Sequence, residues 1–142
     1  MTLENAVEGG CLCGSVRFAV SKPLALAAYC LCSDCRKTTG SAFNISVPVT
    51  RENFRLLSGS PKGFTKASDQ GVKLTRLFCP DCGSPVYTFL DRYPDRIYVK
   101  GGALDDPNSI TPAYQSYTGS AASWAQVPPG LPSYPRGRPS ST

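Results

Sequence analysis

The chain has 142 residues, 41% of them hydrophobic and 18% charged, which suits one folded domain with a core and leaves no room for a second full one. Fifteen basic residues against ten acidic give a net charge of +5 with no histidine; imidazole is thereby excluded as a ligand or proton carrier, and the mild positive balance suits small anions or a loose nucleic-acid contact. No apolar run approaches the roughly 20 residues that span a bilayer. The opening MTLENAVEGG carries acids and no hydrophobic stretch, unlike a signal peptide, so we expect the protein to stay in a reducing cytoplasm. Val16, Phe18 and Val20 alternate with Ser15, Arg17 and Ala19, the period of a half-buried strand. A short helix is expected after Ser33 or Asp34, either of which could cap its first turn. Phe43, Ile45, Val47 and Val49 alternate with polar or small residues, as do Val72 with Leu74 and Ile97 with Val99, so three further strands follow. Turn clusters fall at Ser58-Gly59-Ser60-Pro61, Ser68-Asp69-Gln70-Gly71 and Asp105-Asp106-Pro107-Asn108. No helical period is sustained, and the fold class read from these elements is mainly β. Residues 1–127 are expected to form one domain. Residues 128–142, with five prolines and two arginines, form a tail that runs extended over the surface or is disordered at its end.

The seven cysteines are not scattered. They stand as Cys11-Leu12-Cys13, Cys30-Leu31-Cys32-Ser33-Asp34-Cys35 and Cys79-Pro80-Asp81-Cys82. Disulfides are disfavoured in a reducing compartment, and an odd number cannot pair completely within one chain. Soft sulfur ligands at short spacings point to zinc. In Cys79-Pro80-Asp81-Cys82-Gly83 the two-residue spacer lets both sulfurs turn inward, and the glycine tolerates a positive φ. This pair needs a second pair. Cys11 and Cys13, one residue apart at a strand end, present both sulfurs on one face, and four thiolates make a closed, structural site. Cys30, Cys32 and Cys35 then form a trio. Three protein ligands leave a zinc position open, as catalytic zinc is usually held, unless an aspartate or water completes the site and makes it structural. Spacing alone also allows Cys79 and Cys82 to complete the central cluster. Arg36 and Lys37, next to Cys35, would offset thiolate charge and could hold the carboxylates of an anionic thiol; otherwise they are solvated side chains on a short helix. Tyr93 and Tyr98 are candidate cleft residues or core, Trp124 with Pro128 and Pro129 a candidate cover, and Asp105 and Asp106 turn formers.

Three ordered motifs carry a family resemblance. Gly9-Gly10-Cys11-Leu12-Cys13-Gly14-Ser15-Val16-Arg17, then Cys30-x-Cys32-x-x-Cys35-Arg36-Lys37-x-x-Gly40-Ser41, then Phe78-Cys79-x-x-Cys82-Gly83 resemble the glutathione-dependent formaldehyde-activating enzyme family, whose domain is shared with centromere protein V. Gly102-Ala103-Leu104-Asp105-Asp106-Pro107 and the segment from Trp124 to Pro132 are similar to its trailing pattern, so the resemblance covers roughly residues 8 to 132. It implies a β-tent fold of several antiparallel sheets with short helical turns and two zinc ions. By position, Cys11, Cys13, Cys79 and Cys82 match the structural site, and Cys30, Cys32 and Cys35 the catalytic one. The implied activity is condensation of glutathione with formaldehyde to S-hydroxymethylglutathione, a carbon–sulfur lyase reaction written in reverse. Leu31 departs from the pattern, which commonly has histidine there. Alternation turns Leu31 away from the metal, so zinc binding should survive, whereas proton transfer falls to water, a carboxylate or a tyrosine. A non-catalytic zinc-stabilised binding module and a redox-sensing thiol cluster are the competing functions. Lys and Arg are too dispersed for a nucleic-acid face.

Overall fold

The computed structural model describes residues 5–139; the first four residues of the opening segment and the last three of the tail lie outside it. Ten strands are arranged in chain order: β1 Ala6–Gly10, β2 Arg17–Ser21, β3 Ala28–Cys30, β4 Asn44–Thr50, β5 Phe54–Ser58, β6 Lys62–Ala67, β7 Lys73–Phe78, β8 Pro85–Leu90, β9 Arg96–Lys100 and β10 Tyr114–Ser116. One α-helix, α1 Ser33–Thr39, lies between β3 and β4. The mainly-β expectation holds. The strands form a three-stranded sheet ordered β1-β2-β5 and a seven-stranded sheet ordered β10-β3-β4-β9-β8-β7-β6. Every pairing is antiparallel except β10 with β3, whose long connection carries most of the chain and so allows the parallel approach.

The core sits between the sheets. Phe18 and Val20 of β2 pack there with Val47 and Val49 of β4, Val86 of β8, and Ile97 and Val99 of β9. Each such side chain, fully buried, contributes about 1.5–3 kcal/mol. The alternation read in β4 and β9 survives folding: Val47, Val49, Ile97 and Val99 face inward on paired registers. In β2 it does not. Ala19 on the opposite face is 0% exposed, because β2 is the middle strand of its sheet and is covered on both faces. By contrast β6 is exposed along its whole length, held by its ladder to β7 rather than by the core.

One local detail differs from expectation, and one adds to it. The cap of α1 is Cys32, not Ser33 or Asp34: its Sγ accepts the Cys35 N–H at 3.3 Å. The tail does not merely lie on the surface but is hydrogen-bonded along β10. Gln115 N–H donates to Pro132 O at 3.0 Å, Tyr134 N–H to Gln115 O at 3.0 Å, and Tyr117 N–H to Arg136 O at 3.0 Å. Thus the tail acts as a further rung beside an edge strand that would otherwise leave these groups unpaired. No helix among the described residues is long and apolar enough to cross a membrane.

Candidate metal centres and the cleft beside them

The seven cysteines are free thiols, and their sulfurs gather into two groups. Cys11, Cys13, Cys79 and Cys82 form one and Cys30, Cys32 and Cys35 the other, each with its ligand atoms within 4.8 Å of one another. The division in which Cys79 and Cys82 join the central cluster is not the one the fold adopts. Sheet topology explains why. Cys11 and Cys13 lie beyond the end of β1 in its turn to β2, while Cys79 and Cys82 lie in the turn from β7 to β8. The four-sulfur group therefore ties one sheet to the other.

Its geometry comes from two tight turns. Gly14 and Gly83 have φ of 83° and 80°, a left-handed conformation open to glycine at little cost. Gly14 N–H closes back on Cys11 O at 3.2 Å and Gly83 N–H on Cys79 O at 2.8 Å. Cys11 and Cys13 thus share a side through a turn rather than through the extended strand end expected from their spacing. Peptide N–H groups point at the sulfurs, from Val16 to Cys11 at 3.2 Å and from Asp81 to Cys79 at 3.4 Å. Ser15 Oγ lies 3.3 Å from Cys13 Sγ and 3.2 Å from Cys79 Sγ, and Ser84 Oγ 3.2 Å from Cys82 Sγ. Burial pushes the Cys11 thiol up, but hydrogen bonds from Val16, Cys13, Ser15 and Cys79 outweigh it and bring the group down to about 7. Hydrogen bonds from the Ser84 side chain and backbone bring Cys82 down to about 5. Sulfur separations of 3.6 Å for Cys11–Cys13 and 3.7 Å for Cys13–Cys79 match the about 3.8 Å edge of a tetrahedron with Zn–S bonds near 2.3 Å. An all-sulfur set of this spacing fits zinc.

The second group is built on the β3–α1 junction. Cys30 ends β3, Cys32 caps α1, and Cys35 lies one turn in. Leu31 is buried and anchors the junction through its N–H to Ser116 O at 3.0 Å. Hydrogen bonds from Cys30 and Cys35, assisted by the Cys35 and Asp34 N–H groups, hold Cys32 as the thiolate, down to about 2. The same contacts push Cys30 and Cys35 up, because adjacent sulfurs without a cation cannot all ionise. No histidine or carboxylate joins these three sulfurs among the described residues. A metal held here would have only three ligands from the described chain.

Of the other residues marked in the sequence, Arg36 donates from Nη1 to Ser120 O at 2.9 Å and Lys37 is exposed on α1. Asp105 pairs with Arg17 at 2.9 Å, and Asp106 accepts the Asn108 N–H. Tyr93 lies against the Arg96 guanidinium, 4.5 Å from its ring centre, and Tyr98 is half-buried in β9. Trp124 is 65% exposed.

Three residues with no sequence signal lie near the trio. Lys100, at the end of β9, is 7% exposed; burial pushes its ammonium down, while the sulfurs of Cys35, Cys30 and Cys32 push it up and Arg76 pushes it down. Asn44, also 7% exposed, is the cross-strand partner of Cys30. Tyr117 has its phenol pushed up by burial and by the same sulfurs, and its backbone is left-handed at φ 57°, held by the Arg136 carbonyl of the tail. Lys100 and Asn44 line a cleft of about 620 Å³ that also reaches Cys11, Ser84 and Gly102.

The chain is similar to known proteins in sequence and in fold. A Halomonas elongata protein named "Putative glutathione-dependent formaldehyde-activating enzyme" is 32% identical over 109 residues, covering 70% of this chain and 66% of that protein. The chain thus spans about two thirds of that relative's length. In a crystal structure of a Rhodobacter sphaeroides protein the fold recurs with a TM-score of 0.57 at 23% identity, over 71% of this chain and 92% of the other. The family pattern described as "Glutathione-dependent formaldehyde-activating enzyme" matches residues 6–120, a stretch containing both sulfur groups, Lys100 and Tyr117. Since that match takes in most of the chain and every cysteine motif, the chain belongs to the glutathione-dependent formaldehyde-activating enzyme family.

Proposed function

We propose that the protein is a zinc-dependent enzyme that joins the thiol of glutathione, or a related thiol, to formaldehyde, a carbon–sulfur lyase reaction run toward synthesis. The observation that carries this reading is the three-sulfur group with no fourth protein ligand among the described residues, in a chain of this family. Cys30, Cys32 and Cys35 would hold a zinc ion, whose positive charge would favour the thiolate form of an incoming thiol. Cys11, Cys13, Cys79 and Cys82 would hold a second zinc that fixes one sheet against the other.

The chain's own residues do the rest. Cys32, already the most acidic of its trio, needs no deprotonation to ligate. Arg36 and Lys37 sit on α1 directly after Cys35 and receive a carboxylate of the thiol at the rim. In the reaction the thiolate sulfur bonds to the aldehyde carbon, the C=O π pair moves to oxygen, and that oxygen takes one proton. With no histidine in the chain, Tyr117 is the donor we assign: its phenol is pushed up, remains protonated at neutral pH, and senses the three sulfurs. The tail holds it there, Arg136 O fixing its backbone and Gly137 lying beneath the hydroxyl, where a Cβ would stand 3.6 Å away. Free thiolates of this kind call for a reducing compartment, and we place the protein in the cytoplasm.

The test is proton NMR of glutathione and formaldehyde mixed with zinc-loaded protein. Faster appearance of the S-hydroxymethyl signal than without protein, lost in Cys32→Ser, is expected. An unaltered rate with two zinc ions bound would favour a non-catalytic zinc-stabilised module instead.

A further inference from the structure

Lys100 is a buried cation that faces the sulfur trio but has no carboxylate partner among the described residues. Among the described residues the ion pairs are Arg17 with Glu8 and Asp105, and Lys66 with Asp34; Lys100 Nζ has neither an ion pair nor a hydrogen bond. Burying a charge in this way is costly unless something answers it. Strand register shows what it faces. Cys30 pairs with Asn44 and Ser46 with Lys100, and cross-strand partners share a face with residues two positions along. Cys30, Asn44, Ser46 and Lys100 therefore lie on one face of the large sheet, opposite the core side chains of Val47 and Val99. Arg76 is a second cation acting on Lys100, and among the described residues no carboxylate pairs with Lys100. Asp105, the acid that lines the same cleft, is held by Arg17.

Asn44 has the same character: it is 93% buried on the same scale as Lys100, with no hydrogen bond from its side-chain amide among the described residues. Among the described residues no sealed side-chain nitrogen or oxygen lacks a partner, so the ammonium and the amide each keep some exposure, and both residues line the cleft. Its volume of about 620 Å³ falls in the range of small-ligand sites.

We propose that this cleft is a carboxylate-binding site, in which Lys100 supplies the counter-charge and Asn44 the hydrogen bonds that orient the ligand. The site rests on the reading above and deepens it: the thiol substrate carries a carboxylate that lies on Lys100 while its sulfur reaches the Cys30, Cys32 and Cys35 group. A peptide thiol with two carboxylates can use this site and the rim of α1 together.

The probe is S-methylglutathione, which keeps the carboxylates and lacks the thiol, titrated calorimetrically into zinc-loaded protein. We expect saturable binding. Lys100→Met, which keeps the apolar stem and removes the charge, should weaken it about tenfold or more, and Lys100→Arg should restore part of the loss. Gly102→Leu is a second variant that avoids the core: a Cβ at Gly102 meets nothing within 4 Å, so the side chain can grow into the cleft and should block the probe. Failure of the thiol reading alone would leave this pattern intact, with glutathione binding no better than S-methylglutathione and Cys32→Ser changing neither. Wild-type affinity in both Lys100→Met and Gly102→Leu, or no binding of the probe at all, overturns the carboxylate site. If glutathione binding is still lost in Cys32→Ser in that case, the thiol reading stands without it.

Discussion

Replacing Cys79 and Cys32 by serine, one at a time, should separate the two sulfur groups by their effect on folding. Cys79 is 0% exposed and belongs to the core, and it links the β7–β8 turn to Cys13 on the other sheet at 3.7 Å. Serine there removes one of the four ligands of the sheet-tying site. Structural zinc sites contribute about 10–16 kcal/mol of folding free energy, against a total stability of about 5–15 kcal/mol for a domain. Loss of most of the metal contribution would leave the protein largely unfolded. Cys32 differs because serine is itself a favoured helix cap: its hydroxyl can accept the Cys35 N–H that Sγ accepts now. The expected cost of Cys32→Ser is therefore within about 1 kcal/mol. Urea denaturation read with zinc content by mass spectrometry makes the comparison. We expect Cys32→Ser to fold with one zinc per chain and Cys79→Ser to lose cooperative unfolding. Equal collapse of both, or a Cys79→Ser protein as stable as wild type, would refute the division between a sheet-tying site and a chemical one.

Three further outcomes follow from single contacts. Tyr117→Phe should lower the rate of adduct formation by roughly 10²–10⁴-fold if the phenol donates the proton, with glutathione affinity by calorimetry nearly unchanged. Gly9→Ala should destabilise by about 1–3 kcal/mol, because its Cβ would stand 2.7 Å from Phe18 Cζ and closer still to Ala103 O; thermal melting checks this. The Arg17 hydrogen bond holds the Asp105 carboxyl below its usual range. A carboxyl with a depressed folded-state value adds stability above its unfolded value, near pH 4, and loses it as pH falls through the folded one. Asp105→Asn should therefore flatten the acid limb of stability against pH, by less than about 1 kcal/mol at this half-exposed pair, and leave neutral-pH binding of metal unaltered.

What the sequence made legible was local. Cys11 with Cys13 and Cys79 with Cys82 are brought together by turns of three or four residues, and the glycine at 83 marked a positive φ before any coordinates. The strands with strict alternation, β4 and β9, were equally plain, since one face of each meets the core. Features that depend on register were not. Lys100 reads as a solvated strand end after Ile97 and Val99, and Asn44 as an outward polar residue; only the pairing of β3, β4 and β9 sets both beside Cys30. Tyr117 carried no signal because its position depends on a tail contact 19 residues further on, at Arg136. The exposed strand β6 has no apolar face to announce it, and its existence follows from the β7 ladder. Capping by Cys32 has no sequence signal, because sulfur is a weak acceptor and serine and aspartate are the commoner caps.

The central claim is that the trio of Cys30, Cys32 and Cys35 leaves room for an external thiol. X-ray absorption at the zinc edge, on protein loaded with two zinc ions and measured with and without glutathione, addresses it directly. The account predicts that glutathione raises the mean number of sulfur neighbours per zinc and that Cys32→Ser abolishes the rise. An unchanged sulfur count at saturating glutathione would contradict it.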